Sequence, residues 1–158
     1  MIGIKIRRFK KKDAEEVAKL ITRNDVEFTS KFYPKRIIDK WVKEMSPNYI
    51  LKKSDGGICY VAEKDKKLMG YINLGGNEIK KLFVIPDEHR KGIGSLLLTK
   101  IEELCKKRGI RTLILNSNIS AQGFYISRGF TKKGEGFEEV DGGKFPIAKM
   151  EKKIKCSE

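Results

Sequence analysis

A turn that combines cations with glycines lies within the stretch from Leu82 to Ser95, between an apolar run and the start of a helix. N–H groups in the first turn of a helix have no internal partners, and the helix dipole favours anions there. Glycine adopts backbone angles that other residues resist, so the main chain can approach a ligand closely. The pattern predicts a phosphate site whose contacts come from His89, Arg90, Lys91, Gly92, Ile93, Gly94 and Ser95.

A second pattern runs from Asn118 to Phe130 and has the form Asn-x-x-Ala-x-x-Phe-Tyr-x-x-x-Gly-Phe. The first stretch has the form Val-x-Pro-x(5)-Gly-x-Gly, which is neither the three-glycine dinucleotide motif nor the Walker phosphate loop. Together the two patterns resemble the central motifs of the Gcn5-related N-acetyltransferase (GNAT) superfamily. The resemblance covers Ile79 to Phe130 and departs from the family at His89, where Gln or Arg is usual.

The resemblance implies that acetyl-CoA is the co-substrate and that its pantetheine arm lies between two diverging parallel strands. The strands in question are Glu78–Ile85 and Ile110–Leu115. Unpaired backbone groups in such a gap can bond to an amide-bearing arm as an added strand would. The matching strand positions are Leu82, Phe83 and Val84, and Asn118 is placed to bond the arm, to cap the following helix, or to do both.

The catalytic residues implied by the resemblance are Tyr125, which would meet the cofactor's sulfur, and Glu78, which would be the general base. The alternative for Tyr125 is a core aromatic beside Phe124, and the alternative for Glu78 is a solvated carboxylate at a strand end. Neither alternating face of Glu78–Ile85 is consistently apolar, which predicts a β-bulge near the middle of the strand. A bulge frees an N–H group for the thioester oxygen, and Phe83 is the expected donor.

The sequence holds little material for metal or thiol chemistry. His89 is the only histidine, and Cys59, Cys105 and Cys156 are widely spaced without a Cys-x-x-Cys pair. This pattern predicts no metal site and indicates reduced thiols, with Cys105 on the apolar side of a helix.

Length and composition favour one folded domain over residues 1–154, followed by a short tail at 155–158. With 39% hydrophobic and 35% charged residues, the 158-residue chain has the composition of a globular protein. No apolar run approaches the roughly 20 residues of a membrane span and no secretory signal is evident, so the expected location is the cytoplasm. The net charge of +14 indicates either an acidic partner or a general Lys and Glu enrichment, as in proteins from hot environments. We favour the second interpretation, and nucleic acid is not the expected partner.

Periodicity predicts the elements that position these residues. Helical patterns cover Ala14–Arg23, a stretch after Pro34, Ser95–Arg108 and Ser120–Arg128. Strand patterns cover Ile2–Arg7, Ile58–Glu63, Lys67–Leu74, Glu78–Ile85, Ile110–Leu115, Thr131–Val140 and Phe145–Lys153. The predicted fold is α+β, with a mixed, mostly antiparallel sheet, one β-α-β crossover and flanking helices.

The predicted function is transfer of an acetyl group from acetyl-CoA to a primary amine on a protein or peptide. The alternatives are a small amine such as a polyamine or an antibiotic, and a basic binding module that keeps the fold without catalysis. In this family the acceptor groove is built from Asn24–Pro34 and the last hairpin. Only Asp25 and Glu27 supply acidic groups there, which favours a peptide over a polyamine. A homodimer is compatible with the sequence.

Overall fold

The computed structural model describes residues 3–140 and 142–155, which form one seven-stranded mixed sheet with helices on both faces. The strand order is β1-β2-β3-β4-β5-β7-β6, and only the pairing of β4 with β5 is parallel. The strands are β1 (Lys5–Arg8), β2 (Ile58–Lys64), β3 (Lys67–Gly75), β4 (Glu78–Val84), β5 (Thr112–Ser117), β6 (Thr131–Val140) and β7 (Gly143–Lys153). The helices are α1 (Ala14–Glu27), α2 (Lys35–Glu44), α3 (Pro47–Ser54), α4 (Ile93–Arg108) and α5 (Gln122–Ser127).

Two apolar layers lie on opposite faces of the sheet because its central strands are apolar on both sides. In β2, Tyr60 and Ala62 pack in the layer that contains α4, whereas Cys59 and Val61 pack against α1 and α3. Alternation along a strand sends successive side chains to opposite faces, so one strand serves both layers. A third, smaller cluster joins α2 to the β6–β7 hairpin through Tyr33, Ile37, Ile38, Val140 and Phe145.

The predicted β-α-β crossover is confirmed, and β4 and β5 diverge as expected. Their parallel pairing comprises only Glu78 with Ile114 and Ile79 with Leu115. The rest of β4 remains paired with β3, while β5 continues along β7. One edge of β4 from Leu82 onward therefore faces an opening in the sheet.

The helices differ from the prediction at three places. Helix α1 continues to Glu27, past the predicted end at Arg23, because Asn24 and Asp25 are buried along its inner face. The helix predicted after Pro34 ends at Glu44, but α3, which was not predicted, follows it directly, and the Ser46 hydroxyl accepts the Tyr49 N–H at 3.1 Å at its start. The third difference is at α4, which begins at Ile93, ahead of the predicted Ser95.

Some predictions concern residues that the structure does not describe. Asp141 in the last turn and most of the predicted tail, including Cys156, lie outside the described residues. Cys59 and Cys105 are free thiols and both are buried. Within the described ranges, no helix is both long and apolar enough to span a membrane.

Candidate active site

Two cavities meet at the opening between β4 and β5. One, of about 620 Å³, lies along the α4 side and includes the glycine turn. The other, of about 590 Å³, lies between α1, α2 and the β6 strand. Their shared wall consists of Leu82, Phe83, Asn118, Ala121 and Tyr125. Two ligands entering from opposite sides would meet at this wall, as a two-substrate transfer reaction requires.

The bulge in β4 determines which backbone groups face the opening. Lys81 pairs with Asn73 and Ile79 with Leu74, so Lys80 is the extra residue. After the bulge, Leu82 and Val84 pack on the α4 side, and Phe83 packs on the α1 side. The predicted bulge exists, but it lies at Lys80, close to the start of the strand.

The N–H groups of β4 after the bulge alternate between β3 and the opening. Ile85 donates its N–H to the Met69 carbonyl of the β3 segment at 2.9 Å. Because direction alternates along a strand, the Phe83 N–H also points to β3, and the N–H groups of Leu82 and Val84 point to the opening. The Phe83 N–H, which was expected at the opening, therefore points to β3, and the Leu82 N–H is one of those at the opening.

The glycine turn leads into α4 through residues with positive φ. Gly92 has φ +88°, which favours glycine, and Arg90 has φ +66°. A side chain at Gly94 would meet the Phe124 ring at 3.2 Å. Arg90 and Ser95 line this cavity, whereas the exposed Lys91 lies next to Arg90 in the chain and 3.8 Å from the Glu88 carboxylate. Ile93 is fully buried, so its backbone N–H is the only group it can offer a ligand.

His89 points inward, away from the predicted phosphate position. Its Nε2 lies 3.0 Å from the Val84 carbonyl and 2.9 Å from Asn24 Oδ1. The carbonyl can only accept, so Nε2 carries a hydrogen and donates. The His89 ring also contacts the Phe28 ring edge-on, with 4.5 Å between the two ring centres. His89 thus ties the glycine turn to the end of α1.

Asn118 caps the turn that precedes α5. Its Oδ1 accepts the Ala121 N–H at 3.0 Å and the Ser120 hydroxyl at 2.7 Å. The predicted capping role is therefore present. Asn118 lines both cavities, and its side-chain NH₂ group is a hydrogen-bond donor there.

Tyr125 is 6% exposed and packs edge-on against Phe124 and Phe130. Among the described residues its hydroxyl has no hydrogen-bond partner, and no fully enclosed polar side-chain atom lacks one. The hydroxyl must therefore open into the cavities that this residue lines. Burial raises the pKa of Tyr125, so the hydroxyl stays protonated and can donate.

Glu78, at the start of β4, lines the cavity between α1, α2 and β6, and its side chain is 29% exposed. Lys80 Nζ lies 3.0 Å from its carboxylate. Side chains two residues apart on a strand lie on the same face, so Lys80 and Glu78 are on one side of β4. The carboxylate is accessible to a cavity ligand, as a general base must be.

Acidic residues from four different elements line the same cavity. They are Asp25, Glu44, Glu78, Glu138 and Glu139. Asp25 was predicted as a groove residue from the sequence, whereas Glu44, Glu138 and Glu139 were not. Glu27, the other predicted groove acid, instead pairs with Arg23 at 2.6 Å. Alternation along β6 would place the adjacent Glu138 and Glu139 on opposite faces, so only the tertiary fold shows that both line this cavity.

Asp25 and Lys81 face each other within this cavity. Burial raises the pKa of Asp25 to about 6, and the Lys81 charge only partly offsets it. Burial lowers the pKa of Lys81 against the opposing effects of Asp25 and Glu138. Each group is shifted towards its neutral form because both are removed from water. Over the described residues, no cluster of His, Cys, Asp and Glu could hold a metal ion.

Comparison with known families decides the classification. Residues 13–154 match the family described as "Acetyltransferase (GNAT) domain". The chain belongs to the GNAT acetyltransferase family. The resemblance and the predicted fold are confirmed, and the chain is an enzyme of the acyltransferase class.

The relatives of this GNAT chain act on different amines. It is 28% identical to a spermidine N(1)-acetyltransferase of Thermoplasma acidophilum, over 94% of this chain and 98% of that one. It is 33% identical to a peptidyl-lysine N-acetyltransferase of Salmonella typhimurium, over 57% of this chain and 60% of that one. The shorter match leaves a large part of the Salmonella protein without a counterpart in the alignment.

Solved structures share the architecture over nearly the whole chain. A GCN5-related N-acetyltransferase from Rhodopseudomonas palustris superposes with a TM-score of 0.90 at 21% identity, covering 98% of both chains. The PaiA N-acetyltransferase of Thermoplasma acidophilum in complex with coenzyme A has a TM-score of 0.75 at 26% identity, covering 96% of this chain and 99% of that one. The first likeness concerns the fold alone.

Proposed function

We propose that this GNAT domain transfers an acetyl group from acetyl-CoA directly to a primary amine. The observation that carries the proposal is the wall shared by the two cavities, in which Leu82 and Tyr125 line both sides. A thioester presented from the α4 side and an amine presented from the α1 side would meet there. We call the cavity between α1, α2 and β6 the acceptor cavity. Support from outside the chain comes from the coenzyme A complex of the PaiA relative.

The residues of the α4-side cavity fit a coenzyme A moiety. The Gly92–Gly94 turn leaves room for a diphosphate at the start of α4, and Arg90 and Lys91 supply positive charge. The N–H groups of Leu82 and Val84 are free to bond an amide-bearing arm. The bound thioester supplies an activated acetyl group.

Each catalytic role is assigned to a group that the fold already orients. Glu78 accepts the proton of the ammonium acceptor, whose ordinary pKa is about 10.4. The Leu82 N–H stabilises negative charge on the carbonyl oxygen. Tyr125 donates a hydrogen bond to the departing sulfur and keeps its own proton, because burial raises its pKa.

We further propose that the acceptor is a linear amine with a second positive charge, of the polyamine class. The sequence alone favoured a peptide because it showed too few carboxylates, but five acidic residues line this cavity. Glu138 and Glu139 on exposed β6 have no ion-pair partner among the described residues. Such groups suit a distal ammonium, and the spermidine-acetylating relative is consistent with this assignment.

A lysine side chain of a peptide is the second candidate acceptor. It is favoured by Phe137, which is 65% exposed at the rim of the acceptor cavity and could contact a neighbouring peptide side chain. The peptidyl-lysine relative supports the same alternative.

Steady-state kinetics with a panel of amines and peptides, followed by thiol release, tests both proposals. We expect polyamines to exceed lysine peptides in kcat/KM. Replacing both Glu138 and Glu139 by Gln should raise the polyamine KM roughly 2- to 30-fold, from about 0.2–1 kcal/mol per exposed charge pair. Glu135→Gln on the same strand is the control, because Glu135 pairs with Lys132 outside the cavity. Peptides outperforming every small amine would overturn the polyamine assignment, and absence of thiol release with any amine would overturn acetyl transfer.

A further inference from the structure

Lys81 differs from the other two lysines that line the acceptor cavity. Lys80 Nζ lies 3.0 Å from Glu78, and Lys40 Nζ lies 3.6 Å from Glu44. Within the described part of the chain, Lys81 has no carboxylate oxygen within the 4.0 Å of an ion pair. The cavity of an amine acetyltransferase thus contains a primary amine of the protein itself that is not held by an ion pair.

The Lys81 side chain is positioned by aromatic rings on the acceptor side of the shared wall. Its Nζ lies 5.4 Å from the Tyr49 ring centre and 5.9 Å from that of Phe83. Lys81 directly precedes Leu82, whose N–H faces the opening where we place the thioester. The amine therefore extends from the residue next to the proposed oxyanion donor.

The surroundings of Lys81 also favour its nucleophilic form. Asp25 from α1 and Glu138 from β6 are the acidic groups that act on it, and burial outweighs both and lowers the pKa of Lys81. A lower pKa increases the fraction of neutral amine at a given pH. An exposed surface lysine lacks this advantage.

We propose that Lys81 is an internal acetyl acceptor, so that the protein acetylates its own Lys81 when no external amine occupies the cavity. The inference rests on the proposed function. The lone pair of the neutral Nζ forms an N–C bond to the thioester carbonyl carbon, and the C–S bond breaks with its electron pair going to sulfur. The proton lost from nitrogen balances the thiolate, so the products are an amide and free coenzyme A thiol, with no change in oxidation state.

Acetylation of Lys81 would change acceptor recognition. It would remove one of the three lysine charges from a lining that also carries five carboxylates. The neutral amide would remove the Lys81 charge that opposes Asp25 and Glu138. The acetylated protein should therefore bind cationic acceptors with a lower KM.

Mass spectrometry of the intact protein, followed by peptide mapping, tests the inference after incubation with acetyl-CoA and no amine. We expect Lys81 to be acetylated at least about tenfold faster than exposed lysines such as Lys19 and Lys35, consistent with the effect of positioned catalytic groups. Tyr125→Phe should slow acetylation of Lys81 and leave the exposed lysines unchanged. In Lys81→Arg the fast acetylation should disappear, whereas Lys67→Arg, at an exposed residue outside both cavity linings, should retain it at Lys81.

Two outcomes would overturn the inference. One is an unmodified Lys81 in a preparation that acetylates added amines, which leaves the proposed function intact. The other is acetylation of Lys81 at the rate of exposed lysines and insensitive to Tyr125→Phe, which is non-enzymatic chemistry. If neither Lys81 nor any added amine is acetylated while acetyl-CoA still raises Tm, both proposals fail. An added polyamine should suppress the modification by competing for the cavity.

Discussion

A buried tyrosine hydroxyl ordinarily bonds to the protein around it. Tyr71 OH lies 2.7 Å from Ser54 Oγ, and Tyr33 OH accepts the Ile119 N–H at 3.2 Å. The Tyr125 hydroxyl makes no such bond within the described residues, although its ring is packed between Phe124 and Phe130. Packing therefore fixes the ring, while the hydroxyl remains available to a ligand at the shared wall.

Tyr125→Phe should lower kcat roughly 10- to 1,000-fold while the Kd for acetyl-CoA stays nearly unchanged. The hydroxyl matters as charge develops on sulfur, so its loss affects the transition state more than the ground state. Calorimetry and initial rates measure the two quantities separately. Tyr60→Phe is the control, because Tyr60 is a buried tyrosine of the same layer outside both cavity linings. Full activity in Tyr125→Phe would make this residue a core aromatic only.

Asp25→Asn should stabilise the protein relative to wild type increasingly between pH 4 and about pH 6. The pKa of Asp25 is about 6 in the folded state, and that of an unfolded aspartate is about 3.9. Over that window the folded state binds a proton that the unfolded state has released, so rising pH destabilises wild type. The full effect is at most about 3 kcal/mol. Thermal melts of both proteins across this range measure the difference.

Asp13→Asn should show the opposite sign in the same melts. Burial alone would raise the pKa of Asp13, but bonds from Arg7 and the Lys10 N–H outweigh it and lower that pKa. Its ionised form therefore stabilises the fold above the unfolded pKa, and this stability is lost as pH falls. Parallel pH profiles of the two variants would contradict both assignments.

At the scale of elements, the start of α4 depends on close packing against α5. A Cβ at Gly94 would lie 3.2 Å from Phe124 and 3.7 Å from Val84, so a branched side chain would push into the α4-side cavity wall. The same turn carries the left-handed Gly92. The geometry of this turn therefore limits the space in the proposed cofactor site.

Gly94→Val should abolish most of the Tm increase that acetyl-CoA produces. Ligand binding raises Tm in proportion to the logarithm of ligand concentration over Kd, so a weakened site shows directly in the shift. Differential scanning fluorimetry with and without acetyl-CoA measures it. Gly134→Val is the matched control, because a Cβ there meets nothing within 4 Å. An unchanged shift in Gly94→Val would remove the glycine turn from the proposed cofactor site.

Local patterns predicted most elements because they depend on neighbours in sequence. The β-α-β unit and the Gly109 end of α4 followed from periodicity and glycine placement. Helix α3 was missed although its signal was present, since Ser46 caps it and Pro47 takes its first position. The Ser-Pro pair fits a helix start as well as a helix end.

Other features could not be predicted because they depend on distant partners. The position of the β4 bulge is set by pairing with β3, and a shift of one residue exchanges the N–H directions of Leu82 and Phe83. His89 lies in a polar turn that suggested a solvent-facing or phosphate-binding side chain. Its inward orientation comes from Asn24 and Phe28 on and beyond α1.

At the scale of the whole molecule, the overall charge and the acceptor cavity have opposite signs. The chain carries a net charge of +14, whereas five carboxylates and three lysines line the cavity. By Coulomb's law, the basic surface would attract the proposed polyanionic co-substrate and repel the proposed polyamine at long range. The cavity carboxylates would attract the polyamine only at short range. A change of ionic strength can therefore distinguish the effect of the surface from the effect of the cavity.

The KM of a polyamine should therefore respond to salt in two phases. Between about 0.01 and 0.1 M salt the Debye length shrinks from about 30 to 10 Å, which screens the distant positive surface and should lower KM. Towards about 1 M it falls to about 3 Å, which screens Glu138 and Glu139 themselves and should raise KM. The KM of acetyl-CoA should rise throughout, because both the surface and the Arg90–Lys91 turn attract it. Replacing Glu138 and Glu139 by Gln should weaken the second phase and leave the first. A polyamine KM that falls continuously with salt would mean that the cavity carboxylates do not bind the distal ammonium.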